Sequence, residues 1–171
     1  MLNIEIHPDL KLTRELVYDV DGIKFSSLMK EAESAEYGAY TFQLNDHFIK
    51  FRVAKITPKK IGQFVTLWKR IGKSPIQCHD LSDAIDFFVI SVRKEDNFGQ
   101  FVFPQSVLCE KGIVSKNGIG GKLAIRVYPP WDEPVSPQAK RTQRWQAPYF
   151  FPIEQDKLKN SNLFKQHYCQ G

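Results

Sequence analysis

The chain has 171 residues, of which 42% are apolar, 13% aromatic and 25% charged. This length suits one domain or two small ones, and a domain of this size needs no disulfide or metal to fold. The composition is that of an ordinary globular protein and excludes general disorder. The net charge is only +5, but residues 47–73 carry eight lysines and arginines and no acidic residue. Such a block attracts polyanions, nucleic acid first and acidic lipid second, or else only keeps the surface soluble.

Three features predict a cytoplasmic protein without a membrane anchor. No run approaches the 18 apolar residues that a transmembrane helix needs. The first residues lack the basic segment and apolar core of a secretory signal. Three cysteines, Cys78, Cys109 and Cys169, are an odd and widely spaced set, which fits a reducing compartment.

The N-terminal part, residues 1–36, is predicted to be helical. One helix is expected from Pro8 to about Asp19, and a second from Ser26 to Glu36 with a serine as its N-cap. A hairpin follows, because Tyr40–Leu44 alternates apolar and polar residues, Asn45-Asp46 suits a turn, and residues 48–56 form the return strand.

Thr57 and Pro58 predict the start of a third helix, over residues 58–71, because threonine caps helices and proline suits their first position. Apolar residues recur at spacings of three and four up to Ile71. The preceding strand ends at Lys55, beside the helix N-terminus, and both features favour phosphate. The exposed face of this helix would carry the polar residues Lys59, Gln63, Lys69 and Arg70.

The second half of the chain predicts more strands than helices. Strands are expected at 87–92, 100–103 and 123–128, with a turn at 97–99 and a short helix at 105–111. The glycines of residues 118–121 resemble a phosphate loop, but a strand follows them, so a hairpin turn is the better interpretation. The tail from residue 160 to 171 is expected to be flexible.

Residues 140–146 interleave cations and amides with an indole. Arg141, Arg144 and Trp145 are the types that hold single-stranded nucleic acid, because cations bind phosphates and aromatic rings stack on bases. The alternative is a packed tryptophan beneath an exposed basic loop. Both interpretations remain open from the sequence.

Several long motifs resemble the MepB-like protein family. They are FRVAKITPKKIGQFVTLWKR, DFFVISV, FGQFVFPQSVL, GGKLAIRVYPPWD and QAKRTQRWQ, and together they run from about residue 37 to residue 151. This resemblance implies one domain over residues 1–171 with a family core at 37–151. It also implies an α+β fold similar to the PD-(D/E)XK, or restriction-endonuclease-like, nucleases: a mixed β-sheet flanked by α-helices.

In those nucleases two carboxylates bind magnesium and a lysine two residues after the second one steadies the attacking water. Alignment on Lys55 puts Val53-Ala54-Lys55 at this motif, and valine cannot ligate a metal. The resemblance therefore implies a scaffold that binds nucleic acid with no metal, no cofactor and no catalytic residue. The alternatives are a nuclease or other phosphoryl hydrolase that uses Lys55 with a displaced carboxylate (Glu33, Glu36 or Asp86), or a module for a small anionic ligand.

The expected nucleic-acid site is a cleft with two basic walls, and it favours single-stranded DNA or RNA over duplex. Arg126 would join the first wall from a late strand; the alternative for Lys55 and Arg126 is an ion pair with a buried carboxylate such as Glu33 or Glu36. The complete set of expected site residues is Lys55, Lys59, Gln63, Lys69, Arg70, Arg126, Arg141, Arg144 and Trp145.

Overall fold

The computed structural model describes residues 5–169, and its centre is a six-stranded mixed β-sheet. In chain order the strands are β1 (Phe25–Lys30), β2 (Tyr40–Leu44), β3 (His47–Val53), β4 (Lys55–Ile56), β5 (Gln63–Thr66), β6 (Phe87–Lys94), β7 (Asn97–Pro104), β8 (Ala124–Val127) and β9 (Phe150–Pro152). The large sheet has the order β1-β2-β3-β6-β7-β9, and β4, β5 and β8 form a second, three-stranded sheet.

Four short α-helices accompany the sheets, and 3-10 turns span Ala35–Tyr37, Ala147–Tyr149 and Lys157–Asn160. They are α1 (Pro8–Thr13, continued by a π-helical segment at Arg14–Tyr18), α2 (Gln105–Glu110), α3 (Pro137–Gln146) and α4 (Leu163–Tyr168). The predicted α+β class, with a mixed sheet flanked by helices, is confirmed. Within residues 5–169, no helix has both the length and the apolarity that crossing a membrane requires.

The β2–β3 hairpin forms where the alternation predicted it. Its turn is at Asn45-Asp46, and Asn45 has a φ of 51°, in the left-handed region that asparagine tolerates well. The return strand leaves the sheet after Val53, however, and Lys55 pairs with Phe64 in the second sheet. Strands β3 and β6 are parallel, so residues 54–86 form the crossover between them.

The helix predicted over residues 58–71 is wrong, because β5 lies there instead. Gln63 and Val65 on β5 and Leu67 just after it are buried alternately. This two-residue period puts Val65 and Leu67 on one face, packed in the apolar core that also contains Phe88. Gly62 precedes β5 with a φ of 87°, a conformation that would interrupt a helix. The apolar spacing fits both periods, and pairing with β8 selected the strand.

The helix predicted over residues 26–36 is also wrong. Residues 25–30 form β1, which pairs with β2 through a bulge between Ser26 and Met29, and only Ala35–Tyr37 make a 3-10 turn. The edge of β2 supplies backbone hydrogen-bond partners for residues 25–30, and helix propensity, which is a local property, does not include such partners. The turn expected at 97–99 lies two residues earlier, at Glu95-Asp96.

The large sheet separates two cores. The first core lies on one face, where α1, the π-helical segment and α4 cover Phe42, Phe51 and Val89. The second core lies on the other face, where the second sheet and α2 cover Phe88 and Ile90, with α3 packed beside them. The alternation of side chains along each strand therefore assigns every residue of the large sheet to one of two differently covered faces.

The C-terminal segment, whose residues from 160 onward were expected to be flexible, packs on the rest of the protein over residues 160–169. Phe164 and Tyr168 on α4 are buried in the first core, and the Tyr168 hydroxyl donates to Gln100 Oε1 at 2.8 Å. Asn160 is fully buried, and its Nδ2 donates to the carbonyls of Leu16 and Glu154. Residues 170–171 lie outside the described residues.

Candidate functional site

A basic groove lies between β8 and α3, with a volume of about 360 Å³. Three cations line it, Lys111, Lys122 and Arg126, together with the rings of Tyr128 and Trp145 and with no carboxylate. Three positive charges without a neutralising partner in the wall create a positive potential, and a concave wall concentrates it. We call this feature the basic groove.

Arg126 is held in place by uncharged acceptors. Its Nη2 donates to Thr57 Oγ1 at 2.8 Å and its Nη1 to the Gly62 carbonyl at 3.4 Å, while the guanidinium lies 5.9 Å from the centre of the Phe64 ring. No carboxylate among residues 5–169 pairs with Arg126 or with Lys55. The alternative of a structural ion pair is therefore wrong for both residues.

Helix α3 is clamped to β8 by one buried glutamine. Gln146 accepts from the Tyr128 N–H at 2.9 Å and donates to the Arg126 carbonyl at 3.0 Å. Ser136 caps the helix by accepting from the Ala139 N–H at 3.1 Å. The two hydrogen bonds of Gln146 join the two walls of the basic groove.

Trp145 both packs against the protein interior and lines the basic groove. It is half-buried against Phe103, with ring centres 5.5 Å apart, and Lys111 Nζ lies 5.5 Å from the indole centre. The same side chain lines the basic groove. Arg141 and Arg144 are exposed on α3, so this helix carries a basic outer face.

A second depression, of about 270 Å³, lies beside the loop between β4 and β5. Lys59, Lys60 and Lys94 line it together with Asp132. Thr57 belongs to its wall and also accepts the hydrogen bond from Arg126, so the depression adjoins the basic groove. Lys55 is exposed nearby, with its Nζ 4.8 Å from the centre of the Tyr37 ring.

Three expected site residues lie elsewhere than the helix prediction put them. Gln63 is buried, and its Nε2 donates to the Arg93 carbonyl at 3.3 Å, so it does not face solvent. Lys69 forms an ion pair with Asp83 at 2.6 Å, and Arg70 forms one with Glu33 at 2.9 Å. Their charges are thus neutralised within the protein.

The sequence-based site missed a buried ionic cluster on β3. Lys50 Nζ lies 2.8 Å from Glu31 Oε1, and Arg52 Nη1 donates to Glu31 Oε2. Burial raises the pKa of Glu31, but the charges of Arg52 and Lys50 and their hydrogen bonds outweigh it and lower that pKa below its ordinary value. The sequence did contain a signal for this cluster. Lys50 and Arg52 are two residues apart on a strand with buried neighbours, so both side chains point to the same buried face and need a carboxylate partner there.

His79 and Asp83 adjoin this cluster. His79 Nδ1 lies 2.9 Å from Asp83 Oδ2, which also receives a hydrogen bond from Lys69. Burial, and then the positive charge of Lys50, lower the pKa of His79 to about 4 despite the nearby Asp83. The imidazole is therefore neutral at neutral pH.

The motif alignment at Val53-Ala54-Lys55 spans two sheets. Val53 ends β3 in the large sheet, whereas Lys55 begins β4 in the second one. Among residues 5–169 no three or more His, Cys, Asp or Glu side chains are grouped so that they could hold a metal ion.

A mixed sheet covered by helices on one face, and by a second sheet with helices on the other, defines an α+β protein, and an acid-free basic groove lies at its surface. Comparison with known proteins then gives the family. A family model described as MepB-like matches residues 31–152, and the chain belongs to that family.

One solved structure, described as "Crystal Structure of MepB", superposes with a TM-score of 0.75 at 31% identity. The match covers 88% of this chain and 99% of that one. No curated protein matches the sequence.

Proposed function

We propose that this protein binds nucleic acid, and single-stranded DNA or RNA in preference to duplex, through the basic groove. The observation that carries the proposal is the set of three cations, Lys111, Lys122 and Arg126, in a concave wall without a carboxylate. Phosphate groups are the partners that such a wall favours, since each contact exchanges a condensed counterion for a protein cation.

The aromatic residues of the groove support the preference for single strands. Tyr128 and Trp145 line the same cavity as the cations. Unpaired bases stack on such rings, whereas bases inside a duplex do not expose their faces. The indole already packs on Phe103, and this contact keeps its plane fixed for stacking.

The neighbouring depression extends the proposed path. A strand leaving the basic groove past Thr57 would meet Lys59 and Lys60, and Lys55 lies on the adjoining strand. On the other side, Arg141 and Arg144 extend the positive surface along α3. Phosphates at both ends of a short oligonucleotide would thus find cations.

Binding is tested by titrating labelled oligonucleotides at several salt concentrations and following fluorescence anisotropy. The logarithm of the affinity should fall against the logarithm of salt with a slope of about −0.7 for each phosphate bound. Arg126→Gln should weaken binding about tenfold, which corresponds to the loss of one charged hydrogen bond. It should also make the slope less steep by about 0.7, the share of one phosphate contact.

The matched control is Lys165→Gln, an exposed lysine on α4, which packs on the opposite face of the large sheet. It removes the same charge from the molecule and should leave the affinity unchanged. Equal losses in both variants would mean that net charge alone attracts the oligonucleotide. Absence of binding at low salt would refute the proposal.

A further inference from the structure

A second cleft, separate from the basic groove, lies above the buried ionic cluster. Its volume is about 320 Å³, at the lower end of the range of small-molecule sites. Arg52 lies in its wall and Trp68 forms an aromatic side. Residues 31–34 with Lys69, Arg70 and Gly72 supply the rest of the wall, including the ion pair of Glu33 with Arg70.

The cluster beneath this cleft has one positive charge too many. Lys50, Arg52 and Lys69 supply three cations, whereas Glu31 and Asp83 supply two carboxylates, and His79 is neutral. The Lys50 and Arg52 side chains are only 7% and 2% exposed. Uncompensated charge at such depth is costly, so the cluster favours one further anion.

The arginine has a free edge for that anion. Both hydrogen bonds of the Arg52 guanidinium, to the Glu31 carboxylate and the Phe51 carbonyl, use Nη1. The Nε atom is buried and has no hydrogen-bond partner. The edge formed by Nε and Nη2 carries no hydrogen bond, and a carboxylate that displaces the atoms covering Nε would bind there through the two parallel hydrogen bonds that a guanidinium and a carboxylate form.

We propose that this cleft binds a small aromatic carboxylate, with its carboxylate on the free edge of Arg52 and its ring against Trp68. A single negative charge neutralises the surplus of the cluster. A dianionic phosphate would leave a net negative charge beside Glu31 and Glu33, so the balance favours the carboxylate. We choose an aromatic ligand because the indole of Trp68 in the cleft wall can pack against a planar ring.

The test is calorimetric titration of the full chain with benzoate, acetate and inorganic phosphate. We expect benzoate to bind with a stoichiometry of one and more tightly than either other anion. Arg52→Gln should weaken benzoate binding about tenfold or more, because it removes a paired charged donor. Lys165→Gln, at an exposed lysine on α4 that lines neither proposed site, is the control and should bind benzoate like the wild type.

A second variant keeps the test decisive if Arg52→Gln does not fold. Trp68→Leu removes the ring but no charge, and we expect it to abolish the preference for benzoate over acetate. An unchanged preference in this variant would overturn the proposal, as would absence of benzoate binding by the wild type. Tighter binding of phosphate than of benzoate would overturn the choice of a carboxylate.

Discussion

At the scale of single residues, the buried ionic cluster around Glu31 and Asp83 is the part of the protein most sensitive to substitution. Glu31 forms ion pairs with both Lys50 and Arg52, and Asp83 accepts from both Lys69 and the N–H of Asp80. Removing one partner of such a group leaves a buried charge without compensation, which costs far more than breaking an exposed ion pair.

His79 should make the stability of the protein depend on pH. Its folded pKa is about 4, below the ordinary value of 6.5, so the unfolded chain binds a proton that the folded chain does not. The contribution of His79 to the free energy of unfolding is fully present above pH 6.5. As the pH drops from 6.5 toward 4, this contribution falls by up to about 1.4 kcal/mol per pH unit.

Urea denaturation of the wild type and of His79→Gln over this range measures the effect. The variant lacks the titrating group, so the difference in unfolding free energy should change between the two pH limits and level off outside them. A constant difference across the range would show that His79 does not titrate as its burial demands. The NMR signal of the imidazole Cε1 proton gives the pKa independently.

At the scale of elements, α4 shows how a short segment is fixed by its contacts. The helix has only six residues, too few to be stable by itself in water. Phe164 and Tyr168 pack in the first core, and their rings stack with centres 5.0 Å apart. The hydroxyl of Tyr168 also lies 3.0 Å from that of Tyr18, which links α4 to the π-helical segment near the N-terminus.

Two adjacent substitutions in α4 test this packing. Phe164→Ala should lower the free energy of unfolding by about 3–5 kcal/mol, because it leaves a cavity in the core. Lys165→Ala alters an exposed position in the same helix and should change it by about 0.5 kcal/mol or less. Denaturant unfolding measures both, and equal small effects would indicate a loosely attached C-terminal segment.

For the whole molecule, the two proposed sites lie in different places. The basic groove depends on β8 and α3, whereas the cleft above Arg52 depends on β3, residues 31–34 and the segment after β5. Their lining residues do not overlap. The two binding activities should therefore be separable by substitution.

Arg126→Gln should weaken oligonucleotide binding and leave the affinity for benzoate unchanged. Trp68→Leu should do the reverse, weakening benzoate binding and leaving the oligonucleotide affinity unchanged. Both are measured on the same preparations, by anisotropy and by calorimetry. A loss of both activities in either variant would mean that the sites are coupled or that the substitution disturbs the fold.

Local patterns were sufficient for parts of the chain whose neighbours in sequence are also neighbours in space. The β2–β3 hairpin, most of β6, half of β7 and α2 lie where local patterns predicted them. Strands β1 and β5 do not, because their local signals fit a helix equally well and only the pairing with β2 and with β8 selected the strand. The same limitation misplaced Gln63, Lys69 and Arg70 in the expected site.

The sequence by itself determined the α+β class, the hairpin and the concentration of positive charge in residues 47–73. Only the tertiary structure decided which of those charges remain free. It paired Lys50 and Arg52 with Glu31 and Lys69 with Asp83, and it brought Lys111, Lys122 and Arg126 into one acid-free groove. The physical reason is that a charge is neutralised by what lies within a few ångströms of it, and chain folding, not sequence distance, sets that neighbourhood.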